Sequence, residues 1–149
     1  MLKIIASLVL ALCLSIVPAL AQSDADTNAA IDTNLGDHAL YRAAFDAIQA
    51  ALVDDDKAAF AAWVNYPITV TADGEEMSIA TPEQFVEHFD NIVTDEIRTA
   101  IEQQAWAELF VNYQGSMFGN GQVWVNGICK DDTCAAFDVK IITIQSTAN

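Results

Sequence analysis

The side chains able to do chemistry in this sequence are few in kind: three cysteines, two histidines and 21 carboxylates. Cys129 and Cys134 are separated by Lys-Asp-Asp-Thr, four polar residues of the kind that make a hairpin loop, so the two Cβ atoms can face one another across paired strands. That spacing points to a disulfide, whose small ring contributes about 2 kcal/mol on the chain-entropy model. A redox pair is the competing reading. It lacks the C-x-x-C spacing and any cationic or helix-start surroundings that would lower a thiol pKa. Two histidines, His38 near a predicted helix start and His88 in Glu87-His88-Phe89-Asp90, give no support for a Ser-His-Asp arrangement or a zinc ligand set. Asp24-x-Asp26-x-Asn28 has the start of a calcium loop, but Ala29 stands where glycine is needed and Leu35 where a bidentate Glu is needed. Gly115, Gly119 and Gly121 do not fit G-x-G-x-x-G and read as strand turns. No motif for a metal or cofactor emerges.

The elements that position these groups follow from periodicity. Tyr41, Phe45, Ile48 and Leu52 form one apolar stripe of a helix starting near Asp37. Asp54-Asp55-Asp56 caps a second helix through Lys57, Phe60, Trp63 and Val64, where negative charge complements the helix dipole; its metal-site reading has nothing else converging on it. The alternating segment 66–72, the Asp73-Gly74 turn and the return over 75–79 predict a β-hairpin. Thr81-Pro82-Glu83-Gln84 supplies a cap, a first-turn proline and a reciprocal Gln ahead of Phe85, Phe89 and Ile92. Thr94-Asp95-Glu96 opens a short helix with Ile97 and Ile101 inward. Three antiparallel strands are expected over 106–113, 122–129 and 134–145. The last has Phe137, Val139 and Ile141 on one face and Ala136, Asp138, Lys140, Ile142 and Ile144 on the other, which places it mid-sheet. This order is that of an α+β domain over 37–149.

Residues 22–36 are rich in Ala, Asp, Thr and Asn and read as a flexible lead-in. Before them, Lys3, an apolar run of 14 residues from Ile4 to Val17, Pro18 and Ala19-Leu20-Ala21 make residues 1–21 a cleavable signal peptide. The run is shorter than the ~20 residues a spanning helix needs, so stable membrane insertion is not expected. Leu10-Ala11-Leu12-Cys13 has the outline of a lipidation box, but Leu12 is not small and apolar residues follow the cysteine. Periplasmic or secreted placement follows, with oxidised cysteines. Loss of Lys3 leaves five basic side chains against 21 acidic ones, a formal charge of −16. Such a surface repels nucleic acid and anionic membranes and keeps the chain soluble; it also suits a basic partner protein.

The stretches Trp63-Val-Asn-Tyr66-Pro67-Ile68, Phe85-Val-Glu-His-Phe-Asp-Asn-Ile92, Phe110-Val-Asn-Tyr-Gln114-Gly115-Ser-Met-Phe-Gly119-Asn-Gly121-Gln-Val-Trp124 and Lys140-Ile-Ile-Thr-Ile144 resemble small exported members of the nuclear transport factor two-like superfamily. The resemblance spans most of residues 37–145. It implies a strongly curved antiparallel sheet wrapped around N-terminal helices into a cone, and a homodimer formed through the sheet's outer face. It also implies a pocket at the open end, lined by Tyr66, Phe85, Trp106, Phe110, Gln114, Met117 and Trp124. Packing as ordinary core is the competing account of each aromatic. Relatives that isomerise or dehydrate small molecules use a carboxylate base with a hydroxyl or acid donor. Here those roles would fall to Asp138 and Tyr66, although Lys140 on the same face makes a plain ion pair an alternative.

Three functions are therefore carried forward. The first is non-catalytic binding of a small apolar or amphipathic ligand in the cone. The second is a protein-interaction module, inhibitor- or immunity-like, with an acidic surface for a basic envelope protein. The third is an isomerase or lyase. Intact-mass analysis of the exported protein is expected to show a chain starting at Gln22 with no free thiol; retention of Met1, or a lipid on Cys13, would overturn the export reading.

Overall fold

In the computed structural model, which describes residues 21–72 and 74–146, helices precede antiparallel sheets in an α+β arrangement. The chain runs through α1 (Asp24–Asn34), α2 (His38–Val53) and α3 (Lys57–Ala61), the hairpin β1 (Ile68–Ala72) and β2 (Glu75–Ile79), then α4 (Pro82–Glu87), α5 (Phe89–Ile92) and α6 (Asp95–Glu102). A 3₁₀ turn at Trp106–Glu108 leads into β3 (Phe110–Asn112), β4 (Gly115–Phe118), β5 (Val123–Cys129) and β6 (Phe137–Ile144). The last four strands form one antiparallel sheet in the order β3-β4-β5-β6. The hairpin pairs separately, from Ile68 opposite Ile79 to Ala72 opposite Glu75, as a two-residue turn requires; Asp73 lies outside the described residues.

Local sequence explains the helix starts. Asp56 accepts from Ala59 N at 2.9 Å to cap α3, and Thr81 accepts from Gln84 N at 3.3 Å to cap α4, with Pro82 in the first turn. Gln84 returns a bond from its own side chain, accepting from Ala80 N at 2.9 Å. Helix α6 differs, because Thr94 makes no side-chain cap and Asp95 and Glu96 in the first turn meet the helix dipole instead.

The core joins helices to sheet through aromatic contacts. The stripe of α2 buries Tyr41, Ala44, Phe45, Ile48, Ala51 and Leu52. Phe45 stacks on Phe118 of β4 with centroids 5.1 Å apart and meets Trp106 edge-on at 5.3 Å. Phe60, Phe85 and Phe89 form a second group, with centroids 5.5 to 6.0 Å apart. The Tyr41 hydroxyl donates to Asn126 Oδ1 at 3.0 Å, and Gln49 Nε2 donates to the carbonyls of Ile101 and Gln104, which ties α2 to β5 and to the end of α6.

Five expectations need correction. Residues 24–34 form a helix rather than a flexible lead-in. Ser23 and Asp26 make a reciprocal capping box, Thr27 and Ile31 are fully buried, and Asn28 Oδ1 accepts from the Trp106 indole at 2.9 Å. The expected strand from Trp106 is a 3₁₀ turn followed by three strand residues, while the glycine-containing segment Gly115–Phe118, read as a turn, is a strand. β6 is an edge strand of its sheet rather than a central one, and on its outer side Ile141 exchanges hydrogen bonds with Trp63 O and Asn65 N. Ile144 shares the buried face with Ile141, because a bulge at Trp124/Val125 leaves Ile142 unpaired and shifts the alternation by one.

Asn28→Ala removes the acceptor for a buried indole N–H, so a loss of about 1–3 kcal/mol is expected in urea unfolding. Faster amide exchange across α1 should accompany it. Unchanged stability would mean that α1 is not anchored at Trp106.

Candidate functional site

The residues expected to line one pocket divide between two places. Phe85 and Trp106 are core side chains, 0% and 5% exposed. Tyr66 is half-buried beside Phe85, its hydroxyl donating to Ala61 O at 2.9 Å. Burial, with Glu83 nearby, pushes the Tyr66 phenol up to about 12. The hydroxyl is thus a neutral donor already engaged by backbone. Asp138 is solvent-facing and pairs with Lys130 at 2.8 Å, not with Lys140, whose ammonium donates to Ala62 O at 2.7 Å. Neither an apolar setting for a base nor a contact between Asp138 and Tyr66 is formed.

Phe110, Met117 and Trp124 do come together, on the face of the sheet turned away from the helices. Phe110 lies opposite Met117, Met117 opposite Trp124, and Trp124 opposite Thr143, so one row crosses all four strands. Inner-face neighbours Ser116, Phe118, Val123 and Val125 are buried, whereas Phe110 is 50% exposed and Met117 and Trp124 are half-buried. Phe110 and Trp124 meet edge-on at 6.3 Å. At the end of this row Gln114, Trp124, Ile142, Thr143 and Gln145 line a groove of about 310 Å³. Side-chain alternation alone could have grouped this row, had β4 been recognised as a strand.

The Gly119–Gln122 turn that joins β4 to β5 borders a second groove, about 530 Å³, whose other wall is α6 and Glu108. Asp95, Glu96, Thr99, Gln103, Gln104, Asn120 and Gln122 are among its lining, with no lysine or arginine among the described residues there. The wall is built by amides: Gly119 N donates to Gln104 Oε1 at 2.8 Å, Asn120 N to Gln122 Oε1 at 2.6 Å, and Gln122 Nε2 to Glu96 Oε1 at 3.2 Å. Gly119 has φ +65°, and a Cβ there would press on Gln122 and come within 2.8 Å of Ala100, so glycine lets the turn sit against α6.

A third groove, about 510 Å³, runs past Trp63, Val139 and Lys140. At the α1–α2 corner, Asp32, Asp37 and His38 bring possible ligand atoms within 4.8 Å of one another. Asp32 there accepts from both His38 N and His38 Nδ1, bonds that hold its carboxyl below the usual carboxylate range, and Asp37 caps α2 through Ala39 N. The Cys129–Cys134 disulfide closes the β5–β6 loop, and no helix among the described residues is long and apolar enough to cross a membrane. Comparison with protein-family models, curated proteins and solved structures finds no match.

Because its folded pKa lies above the ordinary value of 10.0, Tyr66 contributes stability that is complete below pH 10 and lost as pH rises toward 12. Ultraviolet titration of Tyr66→Phe is expected to lose one late-ionising phenol and to keep that of Tyr41, which burial also raises; an unchanged curve would overturn the assignment to Tyr66.

Proposed function

We propose that this protein is an exported, non-catalytic interaction domain that presents the outer face of its β3–β6 sheet to a partner protein. The observation carrying this reading is the Phe110–Met117–Trp124 row on the face of the sheet opposite Phe118 and α2. Aromatic and Met side chains are enriched at the centres of protein interfaces, where they supply large contact area at low entropic cost. Tyr113, 78% exposed in the β3–β4 turn, adds to the same edge of the sheet. Export is supported by the leader sequence and by the disulfide. The cone-shaped, nuclear transport factor two-like reading is supported by α2 lying against the sheet's inner face through Phe45 and Phe118.

A small amphipathic ligand is the second reading. It is favoured by the groove beside Trp124, the place where residues from the expected lining border open space. An isomerase or lyase has no support in the surface ion pair of Asp138.

The two readings separate in a photocrosslinking experiment on the exported protein, with a benzophenone amino acid at position 110. A discrete protein adduct formed in the native extract and abolished by Trp124→Ala is expected. Adducts to lipid or metabolite only would favour the second reading, and adducts indifferent to Trp124 would overturn both.

A further inference from the structure

Resting on the docking reading above, we infer that the partner brings a basic segment, with Lys or Arg set beside apolar residues, and lays it across the Gly119–Gln122 turn. The turn separates two unlike surfaces. On one side is the groove of Trp124, Ile142 and Thr143, held to the turn by Gln145 Nε2, which donates to Gly121 O at 3.0 Å. On the other side is the groove of Asp95, Glu96 and Glu108. An apolar anchor and a set of carboxylates therefore lie one turn apart.

Charge bookkeeping leaves this flank without a neutralising cation among the described residues. Every Lys and Arg among the described residues is engaged: Arg42 with Asp24 and Asp46, Lys57 with Asp90, Arg98 with Asp55 and Glu102, Lys130 with Asp138, and Lys140 with Ala62 O. None of these partners borders the α6 groove. Glu96 is held by Gln122 and by Ser146, but Asp95 and Glu108 are exposed and belong to no ion pair among the described residues. Like charges in a concave wall focus a negative potential, which steers a cationic group and sets its register. A neutral partner would gain no electrostatic steering from that wall, and an acidic one would be repelled. A small free polycation could use the wall but would leave the aromatic row unused. The surface as a whole therefore fits a polypeptide carrying both kinds of side chain.

The test is isothermal titration of the disulfide-bonded, exported protein with a short synthetic peptide of alternating Arg and Leu. The uncharged Gln-Leu counterpart and spermidine serve as comparison probes. The Arg-Leu peptide is expected to bind most tightly and to weaken as salt rises. Asp95→Asn with Glu108→Gln should weaken it about three- to tenfold, whereas Asp131→Asn with Asp132→Asn, at the opposite end of β5, should not. Trp124→Ala should weaken both peptides. Equal weakening by the Asp131/Asp132 pair, equal affinity for the Gln-Leu peptide, or spermidine binding as tightly as the peptide would each overturn the basic-partner inference. In all three cases the docking face still stands if Trp124→Ala is disruptive. Binding of either peptide that ignores Trp124→Ala would instead overturn the docking reading itself.

Discussion

Phe45 is the contact on which the arrangement turns. It lies flat on Phe118 and edge-on to Trp106, so one side chain of α2 meets both β4 and the turn that feeds β3. Once that contact forms, the inner face of the sheet is committed to the helices, and alternation along each strand sends Met117 and Trp124 to the other side. The same contact positions α1, whose Asn28 is bonded to the indole that Phe45 packs against. Shape and burial in this aromatic set, more than any polar site, decide which side chains are left to face solvent.

With so few cations, the chain places its carboxylates where backbone N–H groups need acceptors. Asp26, Asp37 and Asp56 each accept from a helix N-terminus, and Asp131 holds the β5–β6 loop through Thr133. Hydrogen bonds from Ser23 and Thr133 hold Asp26 and Asp131 below the ordinary carboxylate range. Acidic residues thus specify local structure, and only some remain as a field directed outward. Asp95 and Glu108 belong to that remainder because α6 and the 3₁₀ turn carry them at the rim of a groove that no lysine or arginine lines among the described residues.

Much of the architecture was legible because caps and turns are local. Thr81-Pro82, Asp56, the hairpin over 66–79 and the cysteine pair are all where a reading of neighbouring residues puts them. Helix α1 was hidden because its composition has one large apolar residue, Ile31; the Ser23-x-x-Asp26 pattern was the signal that could have revealed it. Strand β4 was hidden by Gly115, which reads as a breaker. At φ +143°, it in fact lets the backbone approach Val125 O where any Cβ would collide. For the aromatics, type and spacing mark Phe85, Trp106, Phe110 and Trp124 alike. Packing buries two of them, Trp106 against Phe45 of α2 and Phe85 among Phe60, Tyr66 and Phe89, while strand alternation turns Phe110 and Trp124 outward.

The disulfide gives the β5–β6 hairpin a direction. Its loop end is closed covalently between Cys129 and Cys134, while its other end holds the bulge and the pair Trp124 and Thr143. Ladder bonds near a covalent closure re-form quickly after breaking, because the strands cannot separate far; at the open end the Gln145–Gln122 backbone bond, the Gln145–Gly121 bond and the bond from Ser146 to Glu96 hold the chain. The two ends of the hairpin are therefore closed by different means, one by a covalent bond and the other by burial of Val123 and Ile144.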